Sequence, residues 1–483
     1  RLASLDKEKL ALEEELARDL PELDLEKKMR VVDRKSISQA LPKDSALVEV
    51  IVVDFVQFRS NNSLSLHAQS QAPHYLACVI HSGQPDKTSL IDLGEVKTID
   101  TLIGEFRSAI TGENNSFSVE KLKNRDISFV SDTNDSNMSL TTLTEEFKSG
   151  VELRKRLFDP IGRMLGVTKK IFFSPDGNLT QLPLEVLPVD DKTRLIDLYL
   201  ISYLSTGRDI LRFNTNSSQD SRQSIVIADP NFDYAEEVKT NESVSDFEYS
   251  RGSRSIDLSG ISLNRLEGTK QEGEVIAGIL GSEFWFGDNA VKERMFHYIR
   301  SPRVLHIATH GLFMSNYSQN EKKTNKNNVV KANTFQENPL LRSCLALAGA
   351  NCMSKGLTPK QDAGNGLLTA EEASSLNLSA TELVVLSACD TGRGDTFVGE
   401  GVFGLRRVFA ISGADTLIMS LWKVPDEQTK ELMGDFYARV LIGVDRVEAL
   451  RSAQLEIRRH YPHPYFWGAF TCQGNPSPIR MSR

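Results

Sequence analysis

Leu5, Leu12, Leu16 and Leu20 fall on one face at helical spacing in a charged stretch, and Pro21 separates it from a second helical run ending near Ala40. The pattern predicts a helical hairpin over residues 1–44. The period then shortens. Apolar runs at Ala46–Phe55 and Tyr75–Ile80 read as strands, whereas VKTIDTLIGEFRSAI and LTTLTEEFKSGVELRKRLFDPIGRML carry the 3.6-residue period of amphipathic helices. Asp176-Gly177 stands between two apolar runs and predicts a tight hairpin. This first α/β block closes near Ser205–Phe213.

A polar linker, Asn214–Ser224, leads to a second set of elements beginning with the short apolar strand SIVIADP. Thr269 and Glu272 have capping-box spacing at the start of the helix KQEGEVIAGIL, and Thr369 and Glu372 repeat it before ELVVLSAC. With RVLHIATHG, the helix GLRRVFAI and the strand ADTLIMSLW, the order is β, α, β, α, β, α, β. Such alternation predicts a mainly parallel sheet flanked by helices, with ligand and catalytic groups at the carboxyl ends of the strands. Two long polar stretches, Asp233–Leu258 and Met314–Asn338, read as surface loops.

Composition narrows the classes. The chain has 483 residues, 40% hydrophobic and 25% charged, which is enough for two domains and an ordinary globular mix. A net charge of −8 without a basic block argues against a nucleic-acid surface. No apolar run has membrane-spanning length and no secretory leader pattern opens the chain, so a cytoplasmic location is expected. Arg1 lies inside a helical pattern, so a preceding segment is expected too. Five cysteines, Cys78, Cys344, Cys352, Cys389 and Cys472, form no C-x-x-C pair. Reduced thiols are expected, with no metal and no cofactor. Any one of them taken alone reads as a small buried hydrophobe.

Context singles out Cys389. It ends the run LVVLSAC, as His310 ends VLHIATH, so each sits just past the carboxyl end of a core strand. If the strands are neighbours, a thiol and an imidazole meet at one sheet edge, the arrangement of a cysteine–histidine dyad. The imidazole raises the thiolate fraction and hands a proton to a leaving amine. Gly311, with no side chain, lets its N–H approach a tetrahedral oxygen as an oxyanion-hole donor. His306 shares the face of His310 and reads as core or as a support beneath it. Gly399, Gly401 and Gly404 match G-x-G-x-x-G, but ten residues past Cys389 rather than directly after a strand. They read as a tight loop with close helix packing rather than a dinucleotide site.

VLHIATHGLF, NPLLRSCLALAGAN, GLLTAEE, TELVVLSACDTGRGD, GEGVFGLRRVFAISGADTLIMSLWKVPDEQT and HPYFWGAF occur in this order and resemble the CHAT domain. Upstream, RLFDPIGRML, IFFSPDGNLTQLPLEVLP and ISYLSTGRDILRF are similar to the same module's amino-terminal portion. The family is grouped with caspases and separase and is often fused to tetratricopeptide repeats in bacteria. The resemblance implies His310 and Cys389 as catalytic dyad, with the amides of Gly311 and Cys389 as oxyanion hole. Asp390 stands where many members carry glutamate, a change that leaves the dyad intact.

The expected organisation is a remnant of a helical repeat array at 1–44, a noncatalytic caspase-like α/β subdomain at 45–218, and a catalytic domain at 219–483. The expected activity is endopeptidase cleavage of protein substrates after arginine or lysine, because a carboxylate at the base of the S1 pocket selects a cation. Asp426 in LWKVPD, similar to the pocket stretch of separase-like proteases, and Asp229 at the end of SIVIADP are the candidates. Asp426 also reads as a helix cap and Asp229 as a turn residue. Arg251, Arg254, Lys322, Lys323 and Lys326 in the long loops are then self-processing sites. A regulatory protein or repeat region is the expected partner, and a catalytically silent protein-binding scaffold is the rival reading.

Overall fold

Side chains buried on both faces favour inner, parallel strands, and the buried residues 225–228 and 304–310, which pair in parallel, follow that rule. A computed structural model describes residues 32–60, 66–70, 72–112, 136–213, 221–236, 262–313, 343–352, 354–390 and 398–480. These residues gather into two compact units, 1–220 with 415–483, and 221–414.

The first unit opens with helix α1 (Arg34–Ala40), whose N-cap Asp33 accepts a hydrogen bond from the Ser36 amide. Strand β1 (Ser45–Val53) is almost wholly apolar. It pairs antiparallel with β4 (His74–His81) and parallel with β6 (Lys170–Ser174). A separate two-stranded ribbon, β2 (Val56–Ser60) and β3 (Leu66–Ser70), intervenes. Strand β5 (Gln84–Glu95) pairs with β4 although its sequence is polar. Helices α2 (Val96–Thr111) and α3 (Ser136–Leu165) follow, and β7 (Leu200–Tyr203) lies parallel to β6. The hairpin expected at Asp176-Gly177 does not form. Asp176 instead caps a 3-10 turn at Gly177–Gln181, and the flanking apolar strand spends its ladder bonds on β1 and β7. Residues 1–31, which carry most of the expected helical hairpin, lie outside the described residues, as do the lysines and arginines of the two long loops.

The second unit is organised around β8 (Ile225–Pro230), every residue of which is buried. Helix α4 (Glu267–Leu280) leads to β9 (Glu283–Gly287), and α5 (Lys292–Tyr298) to β10 (Val304–Phe313). Strands β8 and β9 pair in parallel, as do β8 and β10. Strands β11 (Ser343–Ala346) and β12 (Leu367–Thr369) add an antiparallel extension to β10. Strand β13 (Leu383–Asp390) lies parallel to β10 on its other side, and α6 (Val398–Ile411) follows. The mixed, mostly parallel sheet flanked by helices meets the α/β expectation. Three strands were not anticipated here: β9, whose EFWFG is short, and β11 and β12, each four residues or fewer.

Helix α4 begins at Glu267 rather than at Thr269, and the Thr269–Glu272 box is absent. Thr269 Oγ1 accepts a hydrogen bond from the Asp229 amide, and Glu272 is drawn to the sheet, so both side chains serve tertiary contacts. The Thr369–Glu372 box does form, over the single turn Ala370–Ala373. Gly399, Gly401 and Gly404 lie within α6, not in a phosphate-cradling loop after a strand. Close packing of α4 depends on Gly273, where a Cβ would meet Phe284 Cε2 at 2.5 Å and the Ala228 Cβ at 2.8 Å.

The chain then returns to the first unit with β14 (Thr416–Ser420), α7 (Asp426–Leu441), α8 (Arg446–His460) and β15 (Phe470–Gly474). Strand β15 pairs with β14 antiparallel and with β7 parallel. Residues 415–483 thus group with the amino-terminal residues.

Candidate active site

Strands β10 and β13 are rich in β-branched and small apolar residues that pack on a pleated, buried surface. Their parallel register runs from Val304 opposite Leu383 to Gly311 opposite Asp390, and it places His310 directly opposite Cys389. Alternation along a strand then puts positions 306, 308 and 310 of β10 on one face with 385, 387 and 389 of β13. The two residues singled out by sequence therefore share a register position and a face. Both stand within their strands rather than beyond them, because β11 pairs with residues 311–313 and prolongs β10. Gly311 lies between Leu345 of β11 and Asp390 of β13.

His310 is 6% exposed. Its Nε2 lies 2.9 Å from the carbonyl oxygen of Asn264, two residues before the last residue preceding α4, and its ring is 5.3 Å from that of Phe232. A carbonyl only accepts, so Nε2 carries the proton of this bond and Nδ1 becomes the nitrogen that can take another. Beneath this level, His306 is fully buried, and its Nε2 lies 3.3 Å from Glu272 Oε1. Ser387, on the same face, donates to Glu272 Oε2 at 3.2 Å. A carboxylate from α4 thus ties β10 to β13 just below the candidate dyad. Full burial fits the reading of His306 as a core residue.

Asp229 ends β8 as a buried residue in a left-handed conformation, with φ of 44°. Its carboxylate is gripped by Arg265, with Nε to Oδ1 at 2.9 Å and a terminal nitrogen to Oδ2 at 2.9 Å. Asp426 belongs to the other unit, where it is exposed in the first turn of α7 behind Pro425. There it favours the positive end of the helix. Sequence reasoning missed Asn264, Arg265, Phe232 and the tertiary role of Glu272. Asn264 acts through its backbone, which leaves no compositional trace, and Glu272 was disguised by its capping-box spacing.

The other four cysteines are held as thiols. Burial pushes Cys344 and Cys472 up to about 12, and it also raises Cys78 and Cys352. Among the described residues no three His, Cys, Asp or Glu side chains gather as a metal ion would require. None of the described helices is long and apolar enough to cross a membrane.

Residues 148–475 match the CHAT domain family model. Tetratricopeptide repeat protein 28 of Mus musculus is 25% identical over 208 residues, which are 43% of this chain and 8% of that protein. Its Homo sapiens counterpart is 24% identical over 208 residues, with the same 43% and 8% coverage. The chain spans only this small share of the length of these relatives. Among solved structures, the Saccharomyces cerevisiae separase–securin complex matches with a TM-score of 0.46 and 10% identity, covering 92% of this chain and 31% of that one.

Proposed function

We propose, from the premise that this chain belongs to the CHAT domain family, that it is a cysteine endopeptidase acting on protein substrates through Cys389 and His310. The observation that carries the reading is the register of β10 and β13, which sets His310 opposite Cys389. The Cys389 sulfur attacks the scissile carbonyl as His310 Nδ1 takes the thiol proton. The tetrahedral oxygen is received by the amides of Gly311 and Cys389. Collapse expels the amine, which leaves with the proton from His310, and a thioester remains. Water, deprotonated by His310, then hydrolyses the thioester and frees the acid and the thiol. The Asn264 carbonyl holds the ring in the tautomer these transfers need.

Cleavage follows arginine or lysine, with Asp229 or Asp426 as the S1 carboxylate. Residues 45–218 form the noncatalytic partner of the protease domain. His74 there is bound to Asp92, and His81 to the Met164 carbonyl. A repeat region or a regulatory protein controls activity, in keeping with the tetratricopeptide repeat proteins among its relatives. The enzyme works in the cytoplasm, where thiols stay reduced.

The test is a peptide library cut by the full-length chain, compared with Cys389→Ala and His310→Ala. Each substitution is expected to lower kcat/KM on the order of 10³-fold or more with an unchanged circular dichroism spectrum. Retained cleavage by folded Cys389→Ala overturns the mechanism. A folded chain that cuts nothing while still binding its partner is the scaffold outcome, and preference for aspartate or a neutral residue before the cut overturns the specificity.

A further inference from the structure

Asp229 is an unusual place for a carboxylate. It lies one residue past Ala228, which is in register with Ala308 of β10, so it sits beside the strand that carries His310 and two strands from Cys389. Neighbouring strands are about 4.8 Å apart, which puts it roughly 10 Å from the Cys389 strand, a span that an extended basic side chain covers. Its side chain is only 2% exposed, and its amide is pinned to Thr269 Oγ1 at 3.1 Å. The anchor is fixed and dry. Its partner is not: the Arg265 side chain is 53% exposed. Arg265 also directly follows Asn264, whose carbonyl holds His310.

We infer that Arg265 is an internal competitor for the substrate's basic side chain, occupying in the resting chain the carboxylate that a substrate arginine or lysine takes in the productive complex. This rests on the protease reading above and selects Asp229 over Asp426 as the S1 carboxylate. The physical reason is the balance of charge. A buried carboxylate left without a cation is strongly disfavoured, so a neutral or acidic side chain cannot displace Arg265. A substrate guanidinium can, because it restores the same two-pronged bond while the exposed Arg265 swings into water. Glu267 and Asp288 lie within electrostatic reach of Arg265 and offer the released cation a second resting place. The exchange thus acts as a specificity gate that opens only to a cation, and it keeps the pocket closed when no such substrate is present.

Binding reads this separately from cleavage. In full-length Cys389→Ala protein, fluorescence polarisation follows a pool of fluorescein-tagged peptide amides with one fixed arginine, and a twin pool with neutral citrulline there. Adding Arg265→Ala is expected to tighten the arginine pool about tenfold, leave the citrulline pool unchanged, and lose the gain when Asp229→Asn is also present. Arg265→Lys, which keeps the charge but loses the fork, gives an intermediate gain. If Arg265→Ala does not fold, the lysine variant decides alone. An unchanged or weaker arginine pool, or equal tightening of both pools, overturns the inference. With Cys389 intact, a binding gain without cleavage in any variant would retire the protease reading and leave the competitor standing. Cleavage after arginine without a binding gain would do the reverse.

Discussion

At residue scale, the candidate site divides into groups that act by side chain and groups that act by backbone. The alignment of Cys389 with His310 was legible because polar residues closing apolar runs mark the carboxyl edge of a parallel sheet, although both fall within β13 and β10 rather than past their ends. Asn264 was not, since any residue type supplies a carbonyl. Asp229 was legible as a carboxylate at a strand end, but its pairing with Arg265, 36 positions away, was not. A thiol prediction follows from the same reading. Only the thiolate alkylates readily, and burial raises all four of Cys78, Cys344, Cys352 and Cys472. Brief iodoacetamide treatment of the folded chain at neutral pH is therefore expected to modify Cys389 first, with His310→Ala slowing that reaction. Peptide mapping by mass spectrometry checks it, and equal labelling of a buried cysteine would contradict the assignment.

At the scale of elements, long apolar or periodic segments were legible and short or polar ones were not. Strand β5 carries Asp86, Lys87, Thr88 and Ser89, and only its neighbour β4 makes it a strand. The Thr269–Glu272 spacing gave a false helix start because the same two side chains serve the sheet: Thr269 pins Asp229, and Glu272 bridges His306 and Ser387. That bridge requires α4 to lie close, which Gly273 permits. Gly273→Ala places a methyl against Phe284 and Ala228, and overpacking of this kind costs about 1–3 kcal/mol. Urea unfolding is expected to show that loss, together with slower Cys389 alkylation as α4 moves Glu272 and Asn264 away from the sheet. Unchanged stability would mean that Phe284 yields freely.

At the scale of the whole chain, the two compact units predict separable responses to acid. His463 belongs to the unit formed by residues 1–220 and 415–483. Burial is the main cause that lowers it to about 4, with the Glu146 carboxylate opposing the shift and the Arg194 cation adding to it. Geometry agrees: the Tyr465 amide donates to His463 Nδ1 at 3.2 Å, which a protonated nitrogen could not accept. The unfolded chain takes up this proton near pH 6.5, and the folded unit takes it up only near 4. Between these values the unfolded state binds more protons, so stability is full above pH 6.5, falls as the pH drops through the window, and levels off below about 4. Glu146 and Arg194 are paired at 2.8 Å and nearly buried, so the cluster cannot relax by hydrating one partner alone. The decisive measurement is chemical unfolding at pH 7 and pH 5, where most carboxylates remain ionised in both states. A folded His463→Gln variant is expected to lose most of the difference between the two pH values in the transition that reports this unit, and to leave any transition of residues 221–414 unmoved. An equal pH dependence with and without the histidine would place the acid sensitivity elsewhere.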